Sequence, residues 1–186
     1  MSVRRGAGTA VWLALFLMGT VAGSADGAEL QAPVLITSAG QSLGALMVHV
    51  LADRAGVANV FDATAGPSAL DGVASFIIVV GASMKGLGAV GSDETREFAR
   101  VEALIQRAVE LGLPIVAMHV EGEPRRGDTS DRLARLVFAH ARYAIVRADS
   151  DRDQFFTVLA AQYGMPLWRI SSIGEAEDVL RYLYGP

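Results

Sequence analysis

The chain has 186 residues, a formal net charge of −4 and no cysteine. That length makes one domain and buries a core without disulfide or metal staples. With 52% hydrophobic and 19% charged residues, the composition excludes a disordered or collagen-like chain. The acidic balance argues against a general nucleic-acid binder, which needs a basic face.

Residues 1–28 read as a secretory signal peptide. Arg4 and Arg5 form its basic start, and the apolar run Ala10–Met18 follows. That run is shorter than the roughly 20 residues a membrane-spanning helix needs. Small residues then offer cleavage after Ala25. The alternative, after Ala28, would put Asp26 at the −3 position, where a small residue is preferred. Export to the periplasm or the extracellular space is therefore expected, with a single α/β domain over residues 29–186. The lack of cysteine suits an oxidising compartment and leaves no disulfide partner. No second long apolar stretch follows, so the mature protein is expected to be soluble.

Val34–Thr37 is a short apolar run between Pro33 and Ser38-Ala39-Gly40, and it predicts a first strand. Leu43, Leu46, Met47, Val50 and Leu51 then recur at helical spacing, with Ser42 in the N-cap position and Gly56 as the stop. Asn59–Asp62 predicts a short strand and Pro67–Gly72 a turn. Ser75–Val80 is the clearest strand, because its apolar residues run on without alternation, as in a sheet covered on both faces. A glycine-rich loop, Gly81–Gly91, leads to a helix from near Ser92 to near Leu111. Phe98, Val101, Leu104, Ile105, Ala108 and Val109 line its expected inner face, and Gly112 stops it. Ile115–Val120 is another covered strand. A polar loop, Glu121–Ser130, precedes a short helix marked by Leu133, Leu136 and Val137. Tyr143–Val146 predicts a strand, and Phe155, Val158 and Leu159 mark a helix closed by Gly164 and Pro166. Leu167–Ile170 is the last strand, and Val179, Leu180 and Leu183 lie on a terminal helix.

Strands alternating with helices imply an open, mostly parallel α/β sheet of five or six strands with helices on both faces, flavodoxin-like or Rossmann-like. In such sheets ligands sit beyond the C-terminal ends of the strands, where strand order reverses. The loops that leave strands therefore carry the candidate chemistry.

The first such loop offers Thr37, Ser38, Gln41 and Ser42 directly before a helix, whose unpaired N–H groups can hold an anion. Its plainer reading is a turn with a cap. The second offers Ser83, Lys85, Gly86 and Gly88. Here Gly86-Leu-Gly-Ala-Val-Gly91 matches the dinucleotide fingerprint G-x-G-x-x-G. Ala82–Lys85 separate the match from Gly81, however, and it lies outside the first strand-helix unit. The ribose-binding acid is expected about 20 residues further on, yet the next strand ends only at His119. No cofactor is expected. Asp93 and Glu94 already answer the dipole of the next helix, so an anion here would sit on Lys85 and the glycine amides. So many glycines also suit close backbone approach or a moving lid. The third loop, His119–Asp131, offers Arg125 and Arg126 for a bidentate grip on carboxylate or phosphate. Glu121 or Glu123 would orient them, and Asp128–Asp131 begin the next helix. Its plainer reading is a solvated charged loop.

Of the three histidines, His49 sits beside the apolar stripe of the first helix and His140 near a helix C-terminus, both structural places. His119 ends a strand at the expected site and alone is a candidate base or ligand. A hydrogen-bonded core histidine is its plainer reading. A hydrolase set can be drawn from Ser38, Ser83 and His119 with Asp128 or Asp131, without a G-x-S-x-G elbow or an H-E-x-x-H helix. No metal site is expected, given no cysteine and no paired histidines.

Pro33-Val-Leu-Ile-Thr-Ser-Ala-Gly-Gln-Ser42, Lys85-Gly-Leu-Gly-Ala-Val-Gly91 and Arg125-Arg-Gly-Asp-Thr-Ser-Asp131 together resemble the sequence blocks of an exported bacterial family known only as a domain of unknown function. The resemblance spans nearly all of the mature chain. It implies an exported single domain and brings no activity with it.

Three functions fit these features. One is a binding module for a small anionic ligand. Another is a hydrolase or transferase on a phosphorylated or carboxylated substrate, with His119 as base. The third is an accessory protein beside a membrane protein partner. Placement separates them. Convergence of Lys85, Arg125 and a hydroxyl on His119 favours the enzyme, convergence of cations alone favours binding, and scattered loops leave the accessory reading.

Overall fold

Six runs of small and branched apolar residues pair side by side as parallel strands: β1 (Val34–Ala39), β2 (Asn59–Phe61), β3 (Ser75–Val80), β4 (Ile115–His119), β5 (Tyr143–Arg147) and β6 (Leu167–Ile170). The computed structural model describes residues 29–185, so the signal-peptide reading of residues 1–28 lies outside the described residues. The strands form one sheet in the order β2-β1-β3-β4-β5-β6. This is the flavodoxin-type order carried one strand further. Every residue of β1, β3 and β4 is buried, which is why these strands read as continuous apolar runs.

Among the described residues six α-helices cover the sheet: α1 (Gly44–Arg54), α2 (Met84–Ala89), α3 (Glu94–Glu110), α4 (Asp128–Phe138), α5 (Phe155–Tyr163) and α6 (Glu175–Tyr184). Alternate strand residues point to two separate cores. Leu35, Phe76, Ile78 and Ile115 join Leu104 of α3, Val137 of α4 and Phe156 of α5. Val34, Ile36, Ile77 and Met118 join Val48 of α1 and Leu180 of α6. The chain is thus an open six-stranded parallel α/β fold with helices on both faces. Each fully buried Leu, Ile or Phe in these cores contributes about 1.5–3 kcal/mol.

Several local expectations are corrected. Met84–Ala89 is helical, not loop, because the Ser83 side chain caps it by accepting from the Gly86 N–H at 3.1 Å. Ser42 caps nothing: Leu43 is the N-cap of α1 without a side-chain bond, and the Ser42 hydroxyl is buried without a partner among the described residues. The inner face of α1 is Ala45, Val48, Leu51 and Ala52, while Leu43, Leu46, Met47 and Val50 are 38–67% exposed. The helix is apolar nearly all round, so periodicity alone cannot choose its buried side. Ala45 and Ala52, with Val48 and Leu51, lie inside, and Leu43, Leu46, Met47 and Val50 outside. Val109 of α3 and Val158 of α5 are exposed as well.

Candidate functional site

The strand-order reversal falls between β1 and β3, and the structure closes that crevice with its own backbone. Ser42 N donates to Gly81 O at 3.2 Å, Ser83 N donates to Gly40 O at 2.8 Å, and Gln41 bridges Ala82. Gly40, at φ +108°, admits no side chain, because a Cβ would lie 2.5 Å from Gly81 O. Gly86 brings α2 so close that a Cβ there would stand 2.0 Å from Gln41 O. That glycine of the fingerprint therefore serves contact with the chain itself.

Beneath this seam lies a brace that the sequence motifs did not signal. Glu97 of α3 is 1% exposed and accepts from Gly40 N and from Gln41 Nε2, at 2.8 and 3.1 Å. Arg100 grips the same carboxylate through Nε and Nη2 and donates on to Ala65 O and Ser38 O. Gln41 also donates to Ala63 O, which fits a residue held at φ 59°. Thr37 donates to Asp62 O at 2.7 Å and ties β1 to the end of β2. The Ser38 hydroxyl is buried without a partner among the described residues, and nothing in the structure explains it.

The helix starts are answered by carboxylates. Glu121 Oε2 accepts from Gly44 N at 3.1 Å, where an anion on α1 would bind. Asp151, 1% exposed, accepts from Phe156 N and Thr157 N at the start of α5. Asp93 caps α3 through Arg96 N.

The predicted site residues separate accordingly. Lys85 is exposed on α2, and Gly88 faces open space. Arg126 donates to Asp131 at 2.6 and 2.9 Å, to Asp153 at 3.0 and 3.0 Å, and to Ser150 O at 2.5 Å. A guanidinium has five N–H groups, so none remains for a ligand. Its bonds to Asp131 and then to Asp153 raise the Arg126 pKa above its ordinary value, and its guanidinium carbon lies over the Phe155 ring at 4.5 Å from the centroid. A small hollow of about 210 Å³ beside it, lined by Glu123, Arg152 and Asp153, is thus edged by an arginine already committed.

His119 is fully buried against Phe156, with Nδ1 3.0 Å from Val80 O and Nε2 3.2 Å from Gly122 O. Burial lowers its pKa and keeps the ring neutral near pH 7. The neutral ring donates through one nitrogen to its carbonyl, and burial seals the other from any substrate. Ser83 is a cap, and Asp131 is bound to Arg126. No hydrolase set assembles from these residues.

What does converge is a cleft of about 450 Å³ beyond the exits of β4 and β5, lined by Met47, Val120, Glu121, Pro124, Arg125 and Arg147. Arg125 gives its Nε–H to Glu121 Oε1 at 3.1 Å, and among the described residues nothing accepts from its terminal nitrogens. Arg147 pairs with Asp149 through Nη2 at 2.9 Å, while its Nε is buried without an acceptor among the described residues. Gly122, at φ +81°, lets the β4 exit lie on this pair, since a Cβ there would stand 2.7 Å from the Asp149 carboxylate. Arg147 escapes a motif search because it is the last residue of an apolar strand. The position rule that selected His119 would also have selected it, had β5 been carried one residue past Val146.

A family model described as a domain of unknown function, DUF6305, matches residues 31–184. The chain belongs to this family. As a DUF6305 domain, it finds no match among curated proteins. A solved structure of a Schiff-base-forming fructose-1,6-bisphosphate aldolase aligns over 84% of each chain, at 13% identity and a TM-score of 0.32. The cleft is described by the DUF6305 chain's own residues.

Proposed function

We propose that the chain is an exported binding module for a small carboxylate- or phosphate-bearing ligand, seated between Arg125 and Arg147. The observation that carries this reading is the meeting of two arginines on one cleft: nothing among the described residues accepts from the terminal nitrogens of Arg125, and the buried Arg147 Nε–H, beside an equally unpartnered Asp149 Oδ1, has no acceptor. A buried donor left unpaired costs about 1–3 kcal/mol, which a turn of the Arg147 side chain onto an anionic oxygen in the cleft would relieve. Planar guanidinium forks match carboxylate and phosphate oxygens. Glu121 does not compete, because its two oxygens are engaged by Gly44 N and Arg125.

A thermal-shift panel of small mono- and dicarboxylates and phosphate tests it on the purified protein. A ligand at 100 times its Kd adds about 2.7 kcal/mol. For this size class, at about 2–4 °C per kcal/mol, the Tm rises by several degrees. The rise should vanish in Arg147→Gln, shrink in Arg125→Gln and persist in Lys85→Gln. No shift from any compound, or a shift removed only by Lys85→Gln, refutes the reading. Export rests on the pattern of residues 1–28. N-terminal sequencing of the exported protein should begin at Asp26, and a product confined to the cytosol that retains Met1 would contradict it.

A further inference from the structure

We infer that the ligand of this cleft is an amphiphile, an alkyl chain ending in a carboxylate, with the chain lying along α1. The inference rests on the anion reading above and adds the tail. An apolar groove of about 340 Å³, lined by Leu46, Met47, Val50, Leu51 and Ile173, runs beside the cleft. Met47 lines both, so the two hollows adjoin at its side chain. Leu46, Met47 and Val50 are 38–49% exposed. A soluble domain rarely leaves such a contiguous apolar patch without a use.

The charges around the groove specify the occupant. Among the described residues no charged side chain lines the groove itself, and Arg125 and Arg147 stand in the cleft that shares Met47 with it. Next to Ile173, the first turn of α6 carries Glu175, Glu177 and Asp178, and Glu177 is bridged there by Arg54 and Arg181. One negative head at one end of an uncharged trough is the complement of this surface.

The test is an amide NMR titration of the purified protein with sodium butanoate, hexanoate, octanoate and decanoate, each kept below its aggregation concentration. The Kd should fall about fourfold per added methylene, equivalent to about 0.8 kcal/mol, until the groove is filled. Shifts should spread from Arg147 to Met47, Val50 and Ile173 as the chain lengthens. Val50→Gln and Leu46→Gln, both on an exposed face, should flatten the chain-length slope and leave butanoate affinity unchanged. Arg147→Gln should weaken every member by the same factor. A flat series in which butanoate still binds through Arg147 overturns the tail and leaves the anion reading standing. No carboxylate binding at any length overturns both. Sedimentation with phosphatidylglycerol vesicles but no binding of monomers overturns the inference in favour of a membrane surface.

Discussion

Replacing Glu97 by alanine removes one carboxylate from an almost sealed position and leaves three donors behind. Gly40 N, Gln41 Nε2 and the Arg100 guanidinium all give hydrogen bonds to it. The Arg100 side chain is 17% exposed, so its charge would stay largely buried without a counter-ion. Breaking a buried pair from one side costs about 3–5 kcal/mol. At about 2–4 °C per kcal/mol, the Tm should fall by about 6–20 °C. Urea and thermal unfolding followed by circular dichroism read this directly. The double variant Glu97→Leu/Arg100→Leu removes both charges together and should recover much of the loss. A coupling of roughly 1–3 kcal/mol is expected in the double-mutant cycle. If Glu97→Ala costs less than about 1 kcal/mol, the worth of an exposed pair, the brace is not holding the β1 exit. The sealed seam over β1 and β3 would then need another cause.

Two of the three fingerprint glycines should respond in opposite directions. Gly86→Ala forces a Cβ to within 2.0 Å of Gln41 O and should cost at least about 1–3 kcal/mol. Gly88→Ala meets nothing within 4 Å inside a helix and should stabilise by about 0.5–1 kcal/mol. Equal effects in thermal melts would contradict the packing described for α2. Burial lowers the His119 pKa from 6.5, so as pH falls below about 6.5 the unfolded chain binds a proton that the folded chain refuses. The stability from this group is complete above that pH. It is lost at no more than about 1.4 kcal/mol per pH unit until the folded ring itself titrates. His119→Gln should flatten the stability profile between pH 7 and 5.5, and an unchanged profile would show that the ring is not held neutral. Asp151→Ala should cost about 2 kcal/mol in urea unfolding by stripping the start of α5; a loss of only a few tenths would mean that the cap is dispensable.

The central strands were legible because Ser75–Val80 and Ile115–His119 are apolar without alternation, which only a doubly covered parallel sheet explains. The buried side of α1 was not legible, since Leu46, Met47 and Val50 satisfy a helical period as well as Ala45, Val48 and Leu51 do. Pattern reports that a helix is apolar, and packing distance to the sheet decides which side is inside. Arg125 was legible as a polar residue on a strand exit. Arg126 looked the same in sequence, and its capture by Asp131 and Asp153 depends on a meeting with the loop before α5 that spacing does not encode. Arg147 was hidden for the converse reason: its neighbours mark it as strand, and its orphaned Nε appears only once Gly122 and Asp149 are packed around it.

The most direct measurement is a 15N-resolved titration of the arginine Nε–Hε resonances with succinate. The Arg147 Nε–Hε signal should shift and saturate, with Arg125 following it. Arg126, whose five N–H groups are already donated, should stay still. A silent Arg147 with movement around Lys85 and Gly86, or no movement at all, would contradict an anion site in this cleft.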